Sequence, residues 1–513
     1  LINEEGIKQF TTWHNMLNTI FKYPNKDDRK TLLIDHRESK FDNQFFKPCL
    51  ILLTSITVIP LMVIVFQWSL LDDDQQNQAN APPATTTDAQ WSRGCIRTED
   101  LENTDIFFQL VNNTEWRFKN TTLMKSNMPP LLNCQDIFSM TDSMRFLTAG
   151  WTKLVYQATL AKRKVAIKMV NFEGQMMKNC KAELQSDQHC RQKIAKKFIK
   201  EIVALSQFKH PNIIELIGYC IPSDPSSENS IDKLAIVSEL GEPLNLFILL
   251  QMNWEERLKI LYSILKLLEY FSEQPVGGVV LNDLRAQQFV ICDKNLKLVD
   301  VDDVGLEEPT CHSQSDCNER LKKAGIENYN QIVQCIEGIC QNSNDLTNIF
   351  NTAKHFLFLL QFGVPQALQD QISHLKESFQ KQNMPSNLLR QFAQKLVHNY
   401  STGQYFKANS SSRAEFKRYK NADLPTLFDY PCHDSTTQNS CVLSVANLHE
   451  AQSLCTAQTV CKAIIWTNQK TWTGRHVVLF KKNFTQPTYN PNTITFLKVD
   501  DNTQSFSEDT SQL

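Results

Sequence analysis

Four charged side chains and one amide, far apart in the chain, are the residues whose types and spacing suit them to chemistry. Lys168 ends the hydrophobic run Val165-Ala166-Ile167-Lys168, and Glu201 lies in KFIKEIVALSQFKHPNIIELIGYC. Asp283 stands in Leu281-Asn282-Asp283-Leu284-Arg285 with Gln288 five residues on, and Asp300 opens Asp300-Val301-Asp302. The chemistry such a set serves is phosphoryl transfer from a nucleotide. That reaction needs a lysine on the α- and β-phosphates, with a glutamate to orient it. It also needs a carboxylate for the acceptor hydroxyl's proton, and an amide and a second carboxylate for a divalent metal. Each piece alone says little, since a single strand lysine is usually an edge residue with its ammonium in water. Their order and spacing carry the inference.

The elements between them are of the kind that would bring them together. From 144 to 170 the chain reads as strands, MRFLTAG, KLVYQATL and KVAIKMV, with β-branched and aromatic residues between turn residues. Residues 191–208 place Ile194, Phe198, Ile202, Leu205 and Phe208 on one helical face. Strands at IIELIGY and KLAIVSEL follow, then helices at 254–273 and 346–361. Seventeen residues separate Asp283 from Asp300, room for two short strands and a turn that put both carboxylates at the mouth of one cleft. Strands first and helices afterwards predict an α+β fold of two lobes, a β-rich one ahead of a helical one.

This arrangement resembles the protein kinases: a strand lysine, a helix glutamate before His210-Pro211-Asn212, a catalytic loop at 281–288, and Asp300-Val301-Asp302 where kinases carry Asp-Phe-Gly. The resemblance implies ATP and Mg²⁺ or Mn²⁺, with Gln288 and Asp300 on the metal. Departures are visible. The phosphate loop is Thr148-Ala149-Gly150-Trp151-Thr152-Lys153, with one glycine of the usual three, so Thr148, Gly150, Lys153 and Val155 are the expected ATP contacts. Lys153 is also a candidate to supply charge to the phosphates. Leu281-Asn282 replaces His-Arg, Gln288 replaces the metal-binding asparagine, and a Cys-bearing insertion follows where Ala-Pro-Glu is usual. Because Lys168, Glu201, Asp283 and Asp300 all survive, an active kinase is expected, with a catalytically weak nucleotide-binding scaffold as the alternative. Arg285, two residues after Asp283, sits where serine/threonine kinases usually carry lysine and favours a phenol as acceptor.

TAGWTKLVYQA, DLRAQQFVI, VDVDD and NQKTWTGRHVVLFK bring a closer resemblance, to the vertebrate lonesome kinase family of divergent secretory-pathway kinases, from about Phe146 to Val499. What it implies is an ATP-dependent kinase of the Golgi and the extracellular space. Its substrates would be tyrosines of secreted and matrix proteins.

Composition and charge agree with a folded, secreted protein. The chain has 513 residues, 42% hydrophobic and 21% charged, which excludes wholesale disorder. Its formal charge of -2 argues against a nucleic-acid binder relying on a bulk positive field. Residues 50–71, LILLTSITVIPLMVIVFQWSLL, are uncharged and long enough for a transmembrane helix or signal anchor; a cleaved signal is the rival. Lys30, Arg37, Lys40 and Lys47 precede it and Asp72-Asp73-Asp74 follow, so 1–49 are expected cytosolic and the remainder lumenal. Sequons at Asn112, Asn120, Asn399, Asn409 and Asn483 agree with that side. The chain starts at Leu1, so a longer natural sequence is expected.

The expected organisation is a cytosolic segment 1–49, the anchor 50–71, a lumenal stalk 72–130, a kinase domain 131–425, a Cys-containing extension 426–499 and a loose tail 500–513. Fifteen cysteines fit an oxidising compartment. Setting Cys49 aside leaves an even fourteen, enough for full pairing, with Cys220 and Cys292 equally readable as buried thiols. A bridge between Cys180 and Cys190 would tether the helix carrying Glu201. For Cys311, Cys317, Cys335 and Cys340, disulfides are favoured over zinc. Past about 425 a helix at LHEAQSLC and strands at CKAIIWT and HVVLFKK predict a small disulfide-held unit that binds substrate or braces the helical lobe.

Overall fold

A computed structural model describes residues 131–499, apart from 185, 223–230, 275–277, 327–331, 407–413, 433–434 and 438. The run RKVAIKMV forms a central strand, because Val165, Ala166, Ile167 and Lys168 are buried on both of its faces. It is the third of five: β1 (Arg145–Ala149), β2 (Lys153–Leu160), β3 (Arg163–Val170), β4 (Leu216–Cys220) and β5 (Ala235–Glu239). Their order is β1-β2-β3-β5-β4, every neighbouring pair antiparallel. Ahead of them, Leu132 pairs with Gly218 of β4, and a Cβ at Gly218 would stand 2.5 Å from that of Leu132. Cys134 and Cys220 lock this crossing with a disulfide.

Helix α1 (Asp187–Gln207) packs behind the sheet, starting where the Ser186 hydroxyl accepts the backbone N–H of His189. Its inward stripe holds Ile194, Phe198, Ile202 and Leu205, as the periodicity predicts. Cys180–Cys190 pins it to the preceding helix, Gln175–Leu184. The helical lobe is built on α2 (Trp254–Ser272), opened by the reciprocal cap between Asn253 and Glu256, and on α3 (Ser343–Phe356). One continuous apolar core runs from α1 through α2 into both helices that follow α3. The expected small sheet-rich lobe and helical lobe are both present. Between them, Gly241 has no room for a side chain, since a Cβ would meet Val290 at 2.5 Å and the Cys292 sulfur at 2.6 Å.

Six disulfides hold the described residues. Cys311–Cys335 and Cys317–Cys340 staple the helix Gln314–Lys323 to the hairpin Gln334–Gln341, so these four cysteines are disulfides rather than a zinc site. Full pairing does not occur. Cys292 is a buried thiol, pushed up to about 11 mainly by its burial, and Cys95 lies outside the described residues.

A second five-stranded antiparallel sheet closes the chain, in the order Phe416–Asp423, Thr488–Lys498, Ala463–Lys470, His476–Lys481, Cys441–Val445. It has its own core, the helix Leu448–Ala457, and the disulfides Cys432–Cys441 and Cys455–Cys461. Its first strand precedes residue 426, where the extension was expected to begin, because Phe416–Asp423 pairs along most of its length with Thr488–Lys498.

The expected anchor at 50–71, its flanks and the tail lie outside the described residues. Among the described residues no helix is long and apolar enough to cross a membrane. Of the sequons, Asn483 is exposed, whereas Asn399 is half-buried and its amide donates to Gln371 at 3.3 Å.

Candidate active site

Strand register places the first site residues. Val155 lies opposite Lys168 and Lys153 opposite Val170, so two lysines on neighbouring strands share one face of the sheet. Glu201 interrupts the apolar stripe of α1 and is fully buried. A buried carboxylate is tolerable only when it is paired. Here Lys168 Nζ contacts one oxygen at 2.6 Å and Lys153 Nζ the other at 2.5 Å. Lys168 also donates to the Val299 carbonyl at 2.5 Å, next to Asp300. The lysine–glutamate pair expected from sequence is therefore formed, with a second ammonium added to it.

That second ammonium is the main surprise. Lys153, expected as a phosphate contact on the loop, is 6% exposed and turned inward. Its Nζ lies 2.8 Å from Asp300 and 3.0 Å from Asp302, besides Glu201. Burial alone would lower its pKa, but Asp300, Glu201 and Asp302 raise it well above the ordinary lysine value. Burial likewise favours protonation of Asp300, yet Lys153 and Lys168 beside it hold its carboxyl below the usual range. Asp302 goes the other way: burial and the neighbouring Asp300 and Glu201 raise it against the pull of Lys153. Thr148 near the end of β1 and Gly150 on the loop after it are exposed, and Val155 is half-buried on β2. The Gly150 N–H donates to the Lys153 carbonyl at 2.7 Å.

Asp283 and Gln288 stand across the same opening. A pocket lined by Asp283, Gln288, Asp300, Asp302 and Leu298 joins the two carboxylates, as the short spacing between them predicts. The strands that connect them are Phe289–Cys292 and Asn295–Leu298, turned at Asp293-Lys294. Asp283 is not free: Arg285 Nε lies 2.8 Å from one oxygen, and the Gln288 amide donates to the other. Hard oxygen donors suit Mg²⁺ or Mn²⁺. The carboxylates of Glu201, Asp300 and Asp302 come within 4.8 Å of one another and already surround one cation, the Lys153 ammonium, so the donor set fits a divalent ion. Gln288, facing Asp283, fits it less directly.

Several supporting residues escaped sequence reasoning. Asn348 of α3, 1% exposed, accepts the Leu281 N–H and donates to the Val279 carbonyl, both at 2.8 Å, fixing the strand that leads to Asp283. Asn212, legible in sequence only as part of the His210-Pro211-Asn212 turn, braces the strand below Asp300 by donating to the Leu296 carbonyl at 2.7 Å. Glu239, at the end of β5, pairs with Arg163 of β3 at 3.1 Å and with Lys297 of the Asp300 hairpin, tying the two lobes. The available signal was a buried-face amide or acid amid apolar neighbours, as with Asn348 beside Ile349.

Known proteins share this framework. The family model for the protein-kinase domain of FAM69 matches residues 201–381, from Glu201 through the segment 281–288 and α3. The human extracellular tyrosine-protein kinase PKDCC is 33% identical over 374 residues, 72% of this chain and 74% of its own. Two plant proteins of Arabidopsis thaliana match shorter stretches. A LEAF RUST 10 disease-resistance locus receptor-like protein kinase is 27% identical over 37% of this chain and 29% of its own, and receptor-like kinase LIP1 is 26% identical over 19% and 15%. A kinase-type lysine–glutamate pair beside Asp300, Asp283 across a pocket from Asp300, and that likeness over most of both chains leave one conclusion: the chain belongs to the PKDCC/FAM69 family of protein kinases.

Proposed function

We propose that the chain is an ATP-dependent protein kinase of the secretory pathway and extracellular space, transferring the γ-phosphate to tyrosines of secreted proteins. The observation that carries the reading is the convergence of Lys168, Glu201 and Asp300 within one ion-paired network, with Asp283 across the same pocket. In it, Lys168 grips the α- and β-phosphates and Glu201 holds Lys168 in place. Asp283 accepts or orients the tyrosyl proton, and Asp300, with Asp302 and Gln288, would hold Mg²⁺ or Mn²⁺, which neutralises phosphate charge when bound. Arg285 neutralises Asp283 in the resting site and is released to the phosphate as the acceptor enters. Six disulfides and the family of PKDCC support an oxidising, extracellular setting. The catalytic unit begins near 131, and the C-terminal sheet from 416 braces it.

A nucleotide-binding scaffold without turnover is favoured by one observation: both oxygens of Asp283 are engaged by Arg285 and Gln288. The deciding experiment gives the purified chain labelled ATP, Mg²⁺ or Mn²⁺ and a mixed tyrosine, serine and threonine peptide pool, then identifies the phosphoamino acid. Phosphotyrosine is expected. Nucleotide-dependent melting shifts with no transferred label would establish the scaffold instead.

A further inference from the structure

We propose that Lys153 is a resident counter-ion of the metal-binding carboxylates, which a divalent cation displaces only when nucleotide phosphates receive it. This rests on the kinase reading above and adds to it a coupling between metal and nucleotide. An ammonium has three N–H donors. The Lys153 ammonium lies 2.5, 2.8 and 3.0 Å from one oxygen of each of three carboxylates, with a hydrogen bond to Asp300 and ion pairs to Glu201 and Asp302. Lys168 cannot take over its task, since its contacts are the other Glu201 oxygen and the Val299 carbonyl and none reaches Asp302. Nor can Lys197, which lies 2.7 Å from Asp303 and only 3.8 Å from Asp302.

A divalent ion needs the oxygens of Asp300 and Asp302 that Lys153 now holds. Were the ion to arrive alone, it would strip a buried ammonium of two of its three carboxylates and leave it only Glu201, which Lys168 already pairs, and an under-compensated buried charge is strongly unfavourable. The phosphates supply that anion. Lys153 begins β2, directly after the phosphate loop, and its own carbonyl is bonded to Gly150 of that loop, so a shift of the loop onto phosphates carries the lysine with it. Metal and nucleotide then favour one another's binding by the same factor, as linkage requires.

The test measures binding, not turnover. Calorimetry on the purified chain gives the affinity for Mn²⁺ alone, for a non-hydrolysable ATP analogue alone, and for each in the presence of the other. In the wild type each ligand should tighten the other by about tenfold or more. In Lys153→Met, Mn²⁺ alone should bind about tenfold tighter, and the mutual effect should shrink to about twofold or less. A Lys153→Met chain with unchanged or weaker Mn²⁺ affinity, or with the coupling intact, overturns the counter-ion role. Should Lys153→Met fail to fold, the double variant Lys153→Met/Asp302→Asn removes one charge of each sign; coupling that persists there overturns the proposal equally. A wild type that binds no nucleotide with or without Mn²⁺ overturns the kinase reading, while the Mn²⁺-alone comparison still decides whether Lys153 blocks the metal.

Discussion

Among the described residues, two buried ionic clusters are built on opposite terms. At the joint between the helical lobe and the C-terminal sheet, Arg475 is 1% exposed. It donates to the Tyr400 carbonyl at 2.6 Å, the Ser444 carbonyl at 2.7 Å and Glu450 at 2.6 Å, with its guanidinium 4.2 Å over the Tyr400 ring. Glu255 of α2 accepts from Ser444 at 2.8 Å, Tyr400 at 3.2 Å and Thr473 at 2.5 Å, and the Trp472 indole donates to its carbonyl at 3.0 Å. Every charge there meets neutral dipoles or one opposite charge, and the cluster is closed. With Lys197 and Asp303 at its rim, the cluster around Lys153 sets three ammoniums against four carboxylates in its ion pairs, and one of them, Asp300, keeps its side chain 28% exposed. An excess of negative charge with an open edge is what a site that awaits a cation requires. A saturated cluster with no edge is what a joint requires.

The widest separation between the two clusters should appear in phosphotransfer. Lys168→Met and Asp283→Ala should each lower the rate by roughly 10²–10⁴-fold, the range for losing a positioned acid–base or charge partner. Lys153 remains to pair Glu201 in Lys168→Met, so the melting temperature should move little. Wild-type phosphotyrosine production by either variant, measured against the folded fraction, would sink the assigned roles.

Arg475→Ala should do the reverse. It strands Glu450, 2% exposed, without its cation, and removing one partner of a buried pair is destabilising by about 3–5 kcal/mol. A denaturation midpoint close to wild type would show that the joint is dispensable and would leave the C-terminal sheet free for another task. Activity per folded molecule is expected to stay within about twofold, because no Arg475 contact reaches the Asp283 pocket.

The two clusters were also unequally legible from sequence. Lys168, Glu201, Asp283 and Asp300 were readable because each sits in a short motif whose neighbours fix its element. Both lobes and the closing disulfide-held sheet were readable from periodicity and cysteine spacing. The joint was not, since Glu255, Tyr400 and Arg475 come from three distant segments and none carries a local signal; burial that depends on tertiary packing leaves no mark in a window of ten residues. Asn348 did carry a local signal, a polar residue on the buried face of α3 beside Ile349, but one that does not say which strand it braces. Lys153 was seen, but its direction was not, because that direction depends on which residue of β3 faces which residue of β2.

That register hangs on a turn the sequence disguises. β2 and β3 are joined by Ala161-Lys162, both with positive φ, at 45° and 72°. A two-residue hairpin of this kind normally announces itself as Asn-Gly, since L-residues other than Asn, Asp and Gly are strained there. The strain is tolerated because β3 is buried on both faces and holds the register from its far side. Replacing Ala161 by Asn and Lys162 by Gly should therefore stabilise the protein by about 1 kcal/mol. Affinity for Mn²⁺ and nucleotide should be unchanged, because Lys153 keeps its place opposite Val170. A gain in stability accompanied by altered Mn²⁺ affinity would mean that the strained turn, and not the buried strand, sets where Lys153 points.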